Sequence, residues 1–321
     1  MEARGPRPYW GGMGRAWLYL VGFVCWGQLR RSSVSLWTAA AVTGVVVIWV
    51  ALETHAGRWE LRQRRMVRNG PRYGQFWQCA VYEHLALTTG STAGPTGAAV
   101  AAVCLGVAPA LQAPLVQQRW GFMNFSIWVI HGVYLGFLLP VLTLACVHTF
   151  VDAENEAWVW IWSRPLPRSG LYLAQWLGTL PWSVAVTLGS LGGLALAGGT
   201  FGHLAWQLYL WPALIGTLAF TALFHVIHVF FRRPVVIGLI YVFFFEYLIG
   251  SLPGSLKQLS LTFHTRSLMY NSAQIAGYPV EMLPLTDPSS PVVAWWVLGG
   301  ATVALLCGGA WLYRRWERWP T

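Results

Sequence analysis

The sequence predicts an all-α polytopic membrane protein with six transmembrane helices and an interfacial helix near the N-terminus. Residues 169–231 contain no Asp, Glu, Lys or Arg. Since one helical crossing of the hydrocarbon takes about 20 apolar residues, this stretch is long enough for two crossings. Hydrophobic residues make up 56% of the chain and charged residues only 10%, a composition typical of membrane proteins. We therefore treat residues 1–321 as a single transmembrane domain.

Six stretches have the length and the low charge that a transmembrane helix requires. The long charge-free stretch divides into two spans near Gly198–His203, where glycines are concentrated. The last span opens at Ser289-Ser290-Pro291, because serine suits a helix N-cap and proline suits the first helical turn, and it closes at Arg314-Arg315. The predicted spans are 32–52, 120–151, 171–198, 204–231, 234–252 and 291–313.

An apolar stretch near the N-terminus, Trp17–Trp26, is shorter than a crossing requires, and no small-residue cleavage site follows it. It predicts an interfacial elbow helix within residues 14–31 rather than a cleaved signal peptide. An alternative with eight crossings, in which Trp17–Trp26 and Gly97–Leu111 also span the bilayer, stays open. We prefer six crossings because both stretches are short.

Arginine clusters predict the orientation of the spans. When six spans are threaded, 12 arginines fall on one side, against eight arginines and Lys257 on the other. Because basic residues are enriched on the cytoplasmic side, that side and both termini are predicted to be cytoplasmic. Residues 53–119 then form a large extracytoplasmic loop, although this loop holds seven of the outside arginines, and residues 253–288 form a second extracytoplasmic segment. The arginines predicted inside are Arg4, Arg7, Arg15, Arg30, Arg31, Arg164, Arg168, Arg232, Arg233, Arg314, Arg315 and Arg318.

Several function classes conflict with the residues present. The net charge is +10, but the basic residues flank apolar runs, so no nucleic-acid partner is expected. The sequence contains no GxxxxGKS/T motif, no GxGxxG after a strand and no HExxH, so we expect no ATP-phosphate site or zinc protease centre in this chain. The cysteines have no CxxC spacing and indicate small packing residues: Cys25, Cys79, Cys104, Cys146 and Cys307.

The segment between spans two and three, residues 152–169, is short, rich in tryptophan and charged at both ends. A helix from Glu154 to Trp162 would have carboxylates at its N-terminus, where the helix dipole favours them, and Pro165 would end it. Its aromatic side chains could insert into a hydrophobic groove of a partner protein, or they could lie among lipid headgroups. Composition alone leaves both interpretations open.

This segment resembles the coupling loop of ABC transporter permeases of the type-2 exporter class, because a glutamate-containing stretch is followed by Ser163-Arg164-Pro165, Arg168 and a new span. The order of elements is also similar: an elbow helix, a first span, a large outer loop, then five spans and a basic tail. The resemblance implies a permease subunit that couples to a separate ABC ATPase. The residues implied in that coupling are Glu154, Glu156, Trp158, Trp160, Trp162, Arg164, Pro165 and Arg168.

The resemblance has further implications. It implies a homo- or heterodimer of permease subunits in the lipid of the bacterial cytoplasmic membrane. It implies no catalytic residue and no cofactor in this chain, because ATP and Mg²⁺ would be bound by the ATPase. The transported cargo is not implied by any motif.

A second stretch, Tyr241–Leu268, is similar to the end of the fifth span and the external segment of the same permeases. Within it, Glu246 is a carboxylate in an apolar span, which costs roughly 2.5 to 3.5 kcal/mol at the centre of a helix and therefore needs a reason. We expect Glu246 either to serve in gating or cargo contact, with Pro253 as a second candidate, or to reach interfacial water or pair with Lys257 or Arg266.

The two histidines of span four suggest an alternative function. His225 and His228 lie one helical turn apart, so both imidazoles share a helix face and could ligate a metal. With Glu246 they would serve a transporter not driven by ATP or an integral membrane enzyme. Because the sequence offers no dense cluster of further ligands, polar packing between helices is the simpler interpretation.

Overall fold

The computed structural model describes residue 21 and residues 33–55, 121–154, 167–251, 255–278 and 288–315. The described part of the chain is helical and contains no β-strand. In chain order its helices are α1 (Ser33–His55), α2 (a π-helical segment, Ser126–Leu138, continued by Leu139–Glu154), α3 (Arg168–Ala197), α4 (Gly199–Phe230), α5 (Pro234–Tyr241, continued by the π-helical Val242–Leu248), α6 (Leu261–Ile275) and α7 (Pro291–Arg315).

Four of these helices are long and apolar enough to cross a membrane, which confirms the prediction of a helical membrane protein. They are Gly121–Thr149, Arg168–Ala197, Gly199–Phe230 and Pro291–Arg315. At the positions of the first and fifth predicted spans the structure shows shorter apolar helices, Ala40–His55 and Pro234–Leu248. That these two also cross the membrane stays a prediction.

Several predicted segments lie outside the described residues. The predicted elbow helix at 14–31 lies outside them except for residue 21. The predicted loop at 53–119 lies outside them except for its first three residues. Residues 155–166 of the 152–169 segment and Pro253 are also outside. Predictions for these segments stay predictions.

The antiparallel hairpin of α3 and α4 forms the centre of the bundle. Thr187 Oγ1 and Thr217 Oγ1 are hydrogen-bonded across the two helices at 3.0 Å. Each of these hydroxyls also lies within hydrogen-bond distance of a carbonyl of its own helix, so one can donate to that carbonyl while the other donates across the two helices. Buried threonines therefore satisfy their polar groups within and between helices, as polar residues in membrane bundles must.

The turn between α3 and α4 is tight because of its glycines. Gly199 has a positive φ of 59°, a conformation that costs glycine little. Gly202, at the start of α4, lies directly against the backbone of Ala195 at the end of α3. The close approach of these two backbones requires a residue without a side chain at position 202.

We expect Gly202→Ala to destabilise the protein by about 2 kcal/mol. The added Cβ would clash with the carbonyl of Ala195, which belongs to helical backbone and cannot rotate aside. Gly189→Ala is the matched control, because nothing lies within 4 Å of the Cβ it adds to α3. Unfolding of the purified protein in detergent micelles measures both variants, and equal stabilities would contradict the proposed clash.

Helix α6 is an element that the sequence analysis did not assign within residues 253–288. It packs against α4, α7 and the π-helical segment of α2. Near its start, Thr265 contacts Gly216 in the middle of α4, where a Cβ would lie 2.9 Å from Thr265 Cγ2. Beyond its end, the ring of Tyr278 packs against Phe122 at the start of α2, with centroids 5.1 Å apart. α6 therefore runs from the middle of the bundle to the end where α2 begins.

Candidate functional site

The carboxylate of Glu246 is the centre of a buried polar site between α5 and α6. Oε1 accepts hydrogen bonds from Tyr241 OH at 2.6 Å and from the Leu261 amide at 3.2 Å. Oε2 accepts from Ser260 Oγ at 2.6 Å and from the Thr262 amide at 2.8 Å. Glu246 is only 2% exposed, so these four donors replace the water that a charged carboxylate would otherwise need.

Local sequence explains why the donors converge on this carboxylate. Ser260 is the N-cap of α6, and its side chain also accepts from the Phe263 amide at 3.1 Å. The first amides of a helix have no partner within the helix, and the helix dipole favours negative charge there. The carboxylate of Glu246, on α5, therefore provides the negative charge that stabilises the N-terminus of α6.

The structure gives Glu246 hydrogen-bond partners that the sequence analysis did not name. Its carboxylate accepts from Tyr241, Ser260 and the α6 amides, and it also acts electrostatically on Arg266. Tyr241 and Ser260 are thus site residues that sequence reasoning missed. The available signal for Ser260 was a serine placed directly before Leu261-Thr-Phe-His-Thr-Arg-Ser-Leu, where Leu261 and Leu268 lie about two helical turns apart.

The two histidines of α4 pack between helices. His225 Nδ1 and His228 Nδ1 each lie 3.2 Å from the carbonyl oxygen four residues earlier in α4. The ring of His225 lies edge-on to Tyr172 of α3 at 6.2 Å, and the ring of His228 lies 5.7 Å from His148 of α2. Among the described residues there is no group of three or more His, Cys, Asp or Glu placed to hold a metal. Neither histidine shares a hydrogen-bond partner with Glu246.

The same aromatic contacts bring four helix ends together. Tyr172, near the start of α3, lies 5.9 Å from Tyr313 near the end of α7, and His228 and His148 lie near the ends of α4 and α2. Arginines follow or occupy these ends, so we call this the arginine end, defined by Arg168, Arg232, Arg233, Arg314 and Arg315. All but Arg168 are exposed, and Arg168 is partly exposed.

The tryptophan-rich segment belongs to the arginine end by its connections. α2 ends at Glu154 and α3 begins at Arg168, so residues 155–167 join the two helices there. Of the residues implied in coupling, Arg168 is described in full, and Glu154 only as the last residue of α2. The others lie outside the described residues: Glu156, Trp158, Trp160, Trp162, Arg164 and Pro165.

Comparison with protein-family models, with curated proteins and with solved structures finds no match to this chain. The resemblance to ABC exporter permeases therefore depends on the residues quoted above. The helical membrane architecture and the buried Glu246 site are what the structure adds to it.

Proposed function

We propose that this chain is the membrane-spanning permease subunit of an ABC exporter. The observation that carries the proposal is the position of the tryptophan-rich segment: it joins two membrane-length helices at the arginine end of the bundle. Arginines concentrate on the cytoplasmic side of membrane proteins. The segment would thus face the compartment that contains ATP and a soluble ATPase.

The helix directions fit six crossings with both chain ends in the cytoplasm. In the hairpin, Thr187 pairs with Thr217, so α3 leads away from the arginine end and α4 returns to it. α5 begins directly after Arg232-Arg233 and leads away again, while α7 ends at Arg314-Arg315. In this proposal α1 and α5 complete the six crossings, although as described they are shorter than the other four.

Energy for transport would come from outside this chain. A separate ABC ATPase would bind ATP and Mg²⁺, and its conformational change would displace residues 152–169. Since α2 and α3 continue from both ends of that segment, a displacement there tilts two membrane helices together. Transport then requires the two conformations to differ in their affinity for the ATPase and the cargo. A second permease subunit, identical or not, would complete the translocation pathway.

Glu246 would serve this mechanism by joining α5 and α6 into one unit. Three hydrogen bonds to Glu246 fix the end of α5 to the start of α6, and a fourth, from Tyr241, holds the carboxylate within α5. α6 then packs against α4 and α7 as far as the end of the bundle remote from the arginines. Movement of α5 would therefore be transmitted to α6, which lies where a gate on the outer side would be.

Side-directed labelling tests the orientation on which the proposal depends. In a background without the native cysteines, Pro167→Cys lies at the arginine end and Ala276→Cys beyond α6, and both positions are exposed. An impermeant maleimide added to intact cells should label Ala276→Cys, and it should label Pro167→Cys only after permeabilisation. The reverse pattern would overturn the proposed function. Co-purification of an ATPase subunit with the tagged wild-type chain provides the second, independent check.

A further inference from the structure

Two side chains near the Glu246 site, one buried and one partly exposed, have buried hydrogen-bonding atoms that no described residue satisfies. His131, in the π-helical segment of α2, is 2% exposed, and neither of its ring nitrogens has a partner within the described part of the chain. The ring of Tyr209 lies beside the ring of His131, with centroids 5.8 Å apart. The Tyr209 hydroxyl, however, is hydrogen-bonded to Ser126 Oγ at 2.6 Å rather than to His131.

Arg266 is the second of these side chains. Its Nε is shielded from solvent and has no hydrogen-bond partner among the described residues, while the side chain as a whole keeps partial exposure. It lies near enough to His131 to act on it electrostatically. Glu246 attracts this guanidinium electrostatically, and the guanidinium carries a fork of N–H donors that suits an oxyanion.

A hydroxyl on the same helix adds a third donor. Thr262 lies four residues before Arg266, so the two share a face of α6. Thr262 is 2% exposed, and its Oγ1 also lacks a partner among the described residues. Thr262 and Arg266 on one face of α6, and His131 in the segment of α2 against which α6 packs, therefore carry N–H and O–H groups without a partner among the described residues.

The local charge balance favours an anion. Among the described residues around the start of α6, the charged side chains are the buried Glu246 and Lys257 and the partly exposed Arg266, that is, one carboxylate and two cations. The carboxylate already accepts four hydrogen bonds from other groups. A buried donor left without a partner costs about 1–3 kcal/mol, and more when it is charged. An additional anion would satisfy the donors and offset the excess positive charge.

We propose that Arg266, Thr262 and His131 form an internal site for an oxyanion, such as a phosphate or carboxylate group. The guanidinium would bind two oxygens through its fork, and the hydroxyl and imidazole would each donate to an oxygen. The assignment of this oxyanion to the exported cargo depends on the proposed function. Binding itself does not, because it requires no ATPase.

Binding is measured on the full-length purified chain in nanodiscs, by the rise in thermal unfolding midpoint that a ligand of the native state produces. In the first arm the lipid is phosphatidylcholine, and inorganic phosphate replaces chloride at constant ionic strength. In the second arm the lipid contains phosphatidylglycerol and the buffer contains no phosphate. Stabilisation in the first arm identifies a soluble anion, and stabilisation in the second arm alone identifies a lipid headgroup.

We expect Arg266→Gln to weaken binding about tenfold or more, because it removes charge-assisted hydrogen bonds. Arg266→Lys should weaken it less, since it keeps the charge but loses the fork. Thr262→Val, which removes only the hydroxyl, should give a smaller loss. Arg232→Gln is the matched control, because Arg232 is an exposed arginine at the arginine end.

Two outcomes would overturn the site. The first is the absence of Arg266-dependent stabilisation in both arms. The second is an equal loss for Arg232→Gln, which would place the anion at the protein surface. Should Arg266→Gln fail to fold, Arg266→Lys and Thr262→Val give the same comparison. Anion binding together with a failure to engage any ATPase would reject only the proposed function, and intact ATPase coupling without anion binding would reject only this site.

Discussion

Glu246→Ala is expected to lower the free energy of unfolding by on the order of 4 kcal/mol, because it removes the acceptor of several buried donors at once. Tyr241 OH, Ser260 Oγ and the amides of Leu261 and Thr262 would lose a common partner. Ser260 would keep its hydrogen bond from the Phe263 amide, but the α6 N-terminus would lose the negative charge that compensates its dipole.

A graded series separates the charge of Glu246 from its hydrogen bonds. Glu246→Gln keeps one accepting oxygen and should cost less than alanine, about 2 kcal/mol. Tyr241→Phe removes one donor and should cost about 1 kcal/mol. The control is Tyr247→Phe, six residues along α5 from Tyr241, where the tyrosine is 62% exposed and little change is expected.

Unfolding in detergent micelles gives the stabilities, and hydrogen exchange at the Leu261 and Thr262 amides reports the local structure. Both amides should exchange faster in Glu246→Ala, while exchange in the middle of α4 should be little changed. Transport should be lost at normal expression if α5 and α6 act as one unit. A Glu246→Ala protein as stable as the wild type, with protected α6 amides, would show that the carboxylate does not anchor this helix.

Replacing Trp158, Trp160 and Trp162 together with alanine is expected to reduce the stimulation of the partner ATPase about tenfold or more. Tryptophans at the centre of protein interfaces commonly contribute 2 kcal/mol or more each to binding, so the loss of three should prevent docking. ATPase activity is measured with the purified permease in nanodiscs and the separate ATPase. Transport should fall with it, whereas membrane insertion should not.

The control for the tryptophan set uses tryptophans at the opposite end of the bundle. Trp295 and Trp296, near the start of α7, are 44% and 76% exposed. Their replacement by alanine should leave ATPase stimulation near the wild-type level. If the triple variant at 158, 160 and 162 also stimulates like the wild type, these side chains are lipid-facing anchors and the coupling proposal fails.

Hydropathy alone was sufficient to predict the membrane helices, because lipid imposes one constraint on every residue of a crossing. Each backbone polar group in lipid must be satisfied within the structure, so a long uncharged stretch such as residues 169–231 is expected to form helices. The Gly198-Gly199 break between α3 and α4 was readable for a similar reason, since glycine tolerates the positive φ at the turn. Arginine clusters can likewise be read directly from the sequence, which is why an orientation could be predicted from them.

The partners of Glu246 could not be read from the sequence. Its cost in an apolar helix marked Glu246 as a residue that needs a reason, and charge pairing suggested Lys257 or Arg266. The structure adds Ser260 and two backbone amides as hydrogen-bond donors to it. Backbone amides carry no sequence signal, and their availability depends on where α6 begins. The sequence analysis also did not predict α6, because its many polar residues made residues 253–288 look like a segment outside the membrane.

The sequence thus determined the four helices that are long and apolar enough to cross a membrane, because that property depends on composition over about 20 residues at a time. Tertiary structure alone decided which polar groups inside the bundle meet. Glu246 reaches the start of α6 because the chain turns back after α5, and Arg266 lies near His131 because α6 packs against the π-helical segment of α2. Such contacts depend on the rotation and depth of each helix, which are set by packing against its neighbours.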